Sequence, residues 1–252
     1  MIFDHPLISQ RYFFPRAHSV ETPLHIQCDD VVLKCFKSEH KVTGPTMLHF
    51  HGNGEIVADY VGTIDKAFAH CGVNTVFAEY RGFGGSSGFP EMGKMLEDTE
   101  TILQTLELDP AKLFVFGRSV GSIYAIELAR RHPELKGLII ESGISNPLQR
   151  ILMRMSPEEL GCNMDELTRA ADKHLNHEHA LQNYHGPLLL MHTRHDGIVD
   201  LDHAEQNYEW SRSAAKKLRI FERGNHNSIM GENWEEYFKE VADFVSAQRT
   251  EP

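Results

Sequence analysis

A serine, an aspartate and a histidine follow three separate apolar runs of this chain, in the order Ser119, Asp196, His226. A serine hydroxyl attacks a carbonyl poorly until a base takes its proton, and the base itself needs an acid to orient it. Ser119 follows Leu113-Phe114-Val115-Phe116, inside Gly117-Arg118-Ser119-Val120-Gly121. His226 lies in Arg223-Gly224-Asn225-His226-Asn227-Ser228, and no other histidine follows the last apolar run. Asp196 lies in His192-Thr193-Arg194-His195-Asp196-Gly197-Ile198-Val199. Asp200 and Asp202 further along, or Glu141 at the end of its own run, could orient the base instead. His192 and His195 precede the acid and read as loop histidines. An attacked carbonyl also needs N–H donors for its developing oxyanion. The amide of Val120 is one candidate, and the amide of Asn53 in His51-Gly52-Asn53-Gly54 is the other, with His51 tying that loop by hydrogen bonds.

These groups meet only if the chain brings the ends of its apolar runs together. Leu113 to Gly117 reads as a buried strand and Ser122 to Arg131 as a helix, so Ser119 sits at a strand-to-helix corner, a nucleophile elbow. Glycines on both sides let strand and helix approach without a Cβ clash. Residues 24 to 36 read as a β-hairpin turning at Asp29-Asp30, and further strands are expected at 46–50, 74–80, 137–140, 188–191 and 218–221. Between them Ile56, Val57, Tyr60, Val61, Ile64 and Phe68 recur at helical spacing, as do Met95 to Leu106 and Trp234 to Val245. Such alternation predicts an α/β fold, a mostly parallel sheet with helices on both faces and its active site at the carboxyl ends of the strands. Residues 143–186 hold no strand after the sixth, and read as helices over 148–155 and 164–175. They form either a small helical cap over Ser119, lined by Leu152, Met153, Met155 and Met164, or core packing that uses the same side chains. With no repeat or linker, 1–252 is expected to be a single domain carrying that insertion.

Composition narrows the class. A formal charge of −11 argues against nucleic acid or an anionic membrane surface as partner. No apolar stretch reaches the length of a membrane span, and the N-terminus is too charged and proline-broken for a signal peptide, so a cytoplasmic protein is expected. Cys28, Cys35, Cys71 and Cys162 show no paired spacing and fit reduced thiols. His174, His177 and His179 cluster in a polar segment without a metal-ligand template and read as surface residues, so no metal is expected. The loop Tyr80-Arg81-Gly82-Phe83-Gly84-Gly85-Ser86-Ser87-Gly88 lacks the lysine and spacing of a phosphate cradle; it reads as a tight turn with Arg81 pairing locally.

From about Thr46 to Val245 the chain resembles the α/β-hydrolase superfamily. The resemblance rests on HGNGE after the third strand, EYRGFGGSSG after the fourth, GRSVG at the elbow, ES after the sixth, D-x-x-V after the seventh and NHN before the last helix. It is nearest the branch with the α/β-hydrolase-domain depalmitoylases, monoacylglycerol and lysophospholipid esterases and serine aminopeptidase-like proteins. Glu79 stands where that pattern more often has Asp, and Thr193 and Asp200 replace a Gly and a Pro flanking the acid. The resemblance implies Ser119 as nucleophile, Asp196 as acid, His226 as base and the Asn53 and Val120 amides as oxyanion donors, in agreement with the residues themselves. A serine hydrolase acting without cofactor on a small-molecule ester or thioester is therefore expected. One alternative is a peptidase of the serine aminopeptidase type, with Glu55 or Glu141 binding the free amine; another is a non-catalytic ligand-binding protein on the same fold. A histidine base fails once protonated, so hydrolysis should fall below about pH 6 to 7; a rate that stays flat down to about pH 4 would exclude a histidine base.

Overall fold

Strands form where the apolar runs stand, and a computed structural model describes residues 1–38, 40 and 43–248. The strands are β1 (Leu24–Cys28), β2 (Val31–Lys37), β3 (Thr46–Phe50), β4 (Asn74–Ala78), β5 (Leu113–Arg118), β6 (Gly137–Glu141), β7 (Leu188–Thr193) and β8 (Lys216–Phe221). They make one sheet in the order β1-β2-β4-β3-β5-β6-β7-β8. The β1–β2 hairpin is antiparallel, β2 is antiparallel to β4, and every later pairing is parallel. This is the expected α/β architecture.

The inner strands carry apolar side chains at successive positions because both faces are covered. Along β7, Leu188 and Leu190 enter one core, while Leu189 and Met191 enter the other. The first core holds α3 (Met92–Thr105) and α4 (Gly121–Arg131); the second holds α2 (Ile64–His70) and α10 (Trp234–Ala247). α1 (Pro6–Tyr12) was not legible as a helix, yet Ile8 and Tyr12 lie four apart behind Pro6 at its first turn, and both are buried in the first core. The apolar residues from Ile56 to Phe68 do not form one helix. A 3₁₀ turn at Val57–Asp59 and α2 replace it, with Gly62 between them at φ +95°.

Residues 143–186 fold as α5 (Pro147–Leu152), a 3₁₀ turn (Glu158–Leu160), α6 (Met164–His174) and α7 (His177–Asn183). α5 packs on α6, whereas α7 packs against α4 and against α8 (Leu201–Trp210). The short α9 (Ile229–Glu232) precedes α10. No helix among the described residues is long and apolar enough to cross a membrane. The four cysteines are free, Cys162 the least buried.

The histidine cluster near 177 is not a surface patch throughout. His177 is buried, and its Nδ1–H donates to the Ile144 carbonyl at 2.8 Å. Burial pushes its imidazole down to about 4, against the modest pull of the Ile144 carbonyl and Glu127. Below about pH 6.5 the unfolded chain therefore takes up a proton that the folded site refuses, and stability present at neutral pH drains away as pH falls toward 4. We expect His177 to account for about 2–3 kcal/mol of stability lost between pH 7 and pH 4. Urea denaturation at both pH values should show a shallower loss for His177→Gln than for the wild type; equal losses would refute the assignment.

Candidate active site

Three elements converge at the corner that holds Ser119. β5 ends beside β3 and β6, and α4 starts only two residues past the serine. A Cβ on Gly121 would stand 2.2 Å from the Phe50 carbonyl oxygen, and one on Gly117 would stand 2.6 Å from the Ala125 Cβ. The flanking glycines are therefore what allows α4 to lie against the end of β3. Ser119 itself is held at φ +51°, a conformation that costs a non-glycine residue on the order of 1 kcal/mol or more. The surroundings hold it there: its N–H donates to Glu141 O at 2.8 Å, and its carbonyl accepts from Ser122 Oγ at 2.6 Å.

The structure brings the three candidate residues together across the ends of β5, β7 and β8. His226 Nε2 lies 2.9 Å from Ser119 Oγ, and His226 Nδ1 lies 2.7 Å from Asp196 Oδ2. All three are buried. The other oxygen of Asp196 accepts from the amides of Ile198 and Val199, each at 2.9 Å. Burial works against the charged carboxylate, but the His226 hydrogen bond and those two amides outweigh it and hold Asp196 below the usual carboxylate range. His192 is a strand residue of β7 rather than a loop residue. Its Nε2–H donates to Val199 O at 2.8 Å and lies 3.4 Å from Asp196 Oδ2, so it braces the loop that carries the acid. His195, Asp200 and Asp202 are exposed, and Asp200 and Asp202 sit at the start of α8. The Glu141 carboxylate goes to Arg118 and Tyr237 rather than to the His226 imidazole.

Glu141 and Glu55 are both taken up by one guanidinium. Arg118 Nε donates to Glu141 Oε1 at 2.9 Å, Nη1 reaches Glu55 Oε1 at 2.6 Å, and Nη2 donates to the His226 carbonyl at 2.6 Å. Tyr237 and Tyr60 donate to the remaining carboxylate oxygens of Glu141 and Glu55, at 2.5 and 2.7 Å. Burial pushes the Glu141 carboxyl up despite Arg118, whereas Arg118 and Tyr60 overcome burial to hold that of Glu55 down. Gly52 is required beside this cluster, since a Cβ there would come within 2.5 Å of Arg118 Nη1. Sequence reasoning missed Arg118, although an arginine beside the serine in an otherwise apolar strand was a visible signal.

His51 ties its loop as expected: Nδ1–H donates to Gly52 O at 2.8 Å and Nε2 lies 2.7 Å from Glu79 Oε1. Glu79 also accepts from the Val57 amide, and a Cβ on Gly84 would stand 1.9 Å from it. Arg81 does not pair locally. Its buried guanidinium makes a two-point contact with Asp98 of α3 at 2.7 Å and lies 3.5 Å from Asp29 of the hairpin turn.

Above Ser119 opens a cleft of about 400 Å³. Ser119, Val120, Asn53 and His226 form its floor, and among the described residues neither the Asn53 nor the Val120 amide N–H meets an acceptor. The Asn53 side chain turns away, accepting from the Phe14 amide at 2.9 Å and donating to Tyr12 O at 2.6 Å. Tyr12 and Phe14 thereby become cleft walls, opposite Ile144 and Ile198. Of the expected lining, none of Leu152, Met153, Met155 and Met164 reaches the cleft. Met155 enters the core, while Met153 and Met164 are 69% and 48% exposed. Residues 143–186 present Arg150 and Arg154 instead.

A mostly parallel sheet with a serine cornered at the end of its fifth strand is the arrangement of the α/β-hydrolase fold. Residues 43–158 match the family model described as serine aminopeptidase, S33. The chain is 25% identical over 225 residues to protein bem46 of Schizosaccharomyces pombe, covering 83% of this chain and 70% of that one. It is 26% identical over 209 residues to human α/β hydrolase domain-containing protein 17C, covering 80% of this chain and 58% of that one. Esterase Pf2001 of Pyrococcus furiosus shares the fold at TM-score 0.72 and 18% identity, over 92% of this chain and 98% of the esterase. The protein thus has the α/β-hydrolase fold and is similar over most of its length to proteins named as α/β hydrolases and esterases.

Removing the Arg118 charge would leave the buried Glu141 and the half-buried Glu55 without a counter-ion. We expect Arg118→Met to cost about 3–5 kcal/mol. Chemical denaturation of wild type and variant measures this directly; a cost below about 1 kcal/mol would mean that the cluster does not depend on the guanidinium.

Proposed function

We propose that the protein is a serine hydrolase that cleaves a carboxylic ester or thioester through an acyl-enzyme. The observation that carries this reading is the buried relay from Asp196 through His226 to Ser119, opening onto a cleft whose floor holds two amides without acceptors. Ser119 Oγ attacks the carbonyl carbon as its proton passes to His226 Nε2. The Asn53 and Val120 amides donate to the oxyanion of the tetrahedral intermediate. Collapse breaks the bond to the alcohol or thiol, which leaves with the proton from His226. Water, deprotonated by His226, then attacks the Ser119 ester; the acid departs and Ser119 regains its proton. Asp196 keeps Nδ1 protonated and stabilises the imidazolium formed in each half.

The names of similar proteins support hydrolysis of esters, and the S33 description supports a peptidase. The carboxylates favour the first. An aminopeptidase needs a free acidic group for the substrate ammonium, and Glu55 and Glu141 are both engaged by Arg118. We assign the α5–α6 part of residues 143–186 as the substrate-facing cap, with α7 belonging to the body it packs on. A retained relay weighs against a purely ligand-binding role.

Turnover of p-nitrophenyl esters from acetate to palmitate, with fluorophosphonate labelling, tests the proposal. Wild type should be labelled and active, and Ser119→Ala should lose the label and about 10⁴-fold or more of the turnover. Labelling without ester turnover would redirect the search to thioesters and amides. Absence of both would favour the ligand-binding reading.

A further inference from the structure

The cleft carries charge of the opposite sign to the protein. The chain has 36 acidic against 25 basic side chains, and most arginines find carboxylates, as Arg11 reaches Glu159, Arg16 reaches Asp59 and Arg194 reaches Glu222, while the exposed Arg169 and Arg212 lie away from the cleft. Arg150 and Arg154, four residues apart at the end of α5, meet no carboxylate among the described residues, and both line the cleft with Ser119 and His226. Arg154 is positioned. Its Nη1 donates to Arg11 O at 2.8 Å, and its guanidinium carbon lies 5.7 Å and 5.5 Å from the Tyr12 and Phe14 ring centroids. Among the described residues the Arg150 guanidinium has only the Met153 sulfur, 3.7 Å from Nη1, which is a weak acceptor. Two forked donors thus face the space where substrate must lie, with most of their N–H groups unused.

We propose that Arg150 and Arg154 form an anion-binding subsite of this cleft, and that the substrate is an ester or thioester carrying a carboxylate or phosphate on one of its halves. The inference rests on the serine-hydrolase reading for the reaction, but the binding of the anion stands independently of turnover. A guanidinium pair recognises planar carboxylate or phosphate oxygens through two-point, charge-assisted hydrogen bonds. It also repels the free ammonium of a peptide N-terminus.

The test uses the full chain and two matched substrate pairs. p-Nitrophenyl hydrogen adipate against its methyl ester places the carboxylate on the acyl half; butyryl-coenzyme A against butyryl-N-acetylcysteamine places phosphate on the leaving half. We expect kcat/KM to favour the anionic member of at least one pair by about tenfold or more. That preference should shrink toward unity in the double variant Arg150→Gln/Arg154→Gln and at 1 M salt, and should survive in part in Arg150→Lys/Arg154→Lys. The pair that shows it identifies the half that bears the charge. Equal or better use of the neutral member in both pairs, or an anionic preference unchanged in the glutamine variant, would overturn the subsite. Calorimetric titration of Ser119→Ala with monomethyl and dimethyl adipate reads the anion directly. Tighter binding of the monoanion, lost in the glutamine background, supports the subsite even if no ester is turned over; equal binding, with neither substrate pair showing an anionic preference, overturns it. Failure of the hydrolase reading appears separately, as an enzyme with neither turnover nor label at Ser119.

Discussion

The guanidinium of Arg118 sits where the carboxyl ends of β5 and β6, the loop after β3 and the loop bearing His226 meet. A positive charge buried there is tolerable only because Glu55 and Glu141 surround it, and those carboxylates are tolerable only because of the guanidinium and two tyrosine hydroxyls. The cluster joins residues from four separate parts of the chain. Its contact with the His226 carbonyl extends that restraint to the backbone that aims the imidazole at Ser119. Hydrophobic burial holds strands and helices together without direction; a guanidinium shared between two carboxylates and a short hydrogen bond fix the relative heights of the loops. The geometry between Ser119 and His226 therefore depends on a group that touches neither side chain.

A similar division recurs around the sheet. His51 and Glu79 link the loop after β3 to the loop after β4, and Arg81 with Asp98 links that second loop to α3. Burial opposes the charged His51 imidazole, yet Glu79 draws its proton affinity above the ordinary histidine value, as a paired buried charge requires. Glycines stand where these side chains need room: Gly52 beside Arg118 and Gly84 beside Glu79. In the glycine-rich loop after β4, packing around a carboxylate explains Gly84, while Gly88 leaves room for Val31.

The strands and the relay were readable in the sequence for one reason. Strand ends in a parallel sheet share an edge, so Ser119, Asp196 and His226 could be expected to meet once each followed its own apolar run. The reading of His51 as a loop brace held as well, whereas the order of the strands in the sheet comes only from the structure. What could not be read depended on which way a surface element faces. The methionines after α5 suggested an apolar lining, but Met155 turns into the core, leaving Arg150 and Arg154 toward the cleft. α1 has too few residues for a helical period to stand out, although it supplies the wall formed by Tyr12 and Phe14. The partners of Arg118 lie 63 residues before it and 23 after it, a pairing that only the assembled sheet produces.

The chemistry and the selectivity of this site accordingly come from different layers. Groups that would make and break bonds stand on strand ends and are restrained by buried ion pairs, so their geometry is set by the sheet. Groups that would choose a substrate come from the N-terminal segment and from α5, which meet over the cleft through Arg154, Tyr12 and Phe14. A change in α5 can alter the sign of the cleft without disturbing the relay beneath it. That separation lets one fold carry different clefts. It also places the decision between ester and peptide on charge. With both nearby glutamates bound to Arg118, and with Arg150 and Arg154 meeting no carboxylate among the described residues, the proposed preference is for an anion over a substrate ammonium.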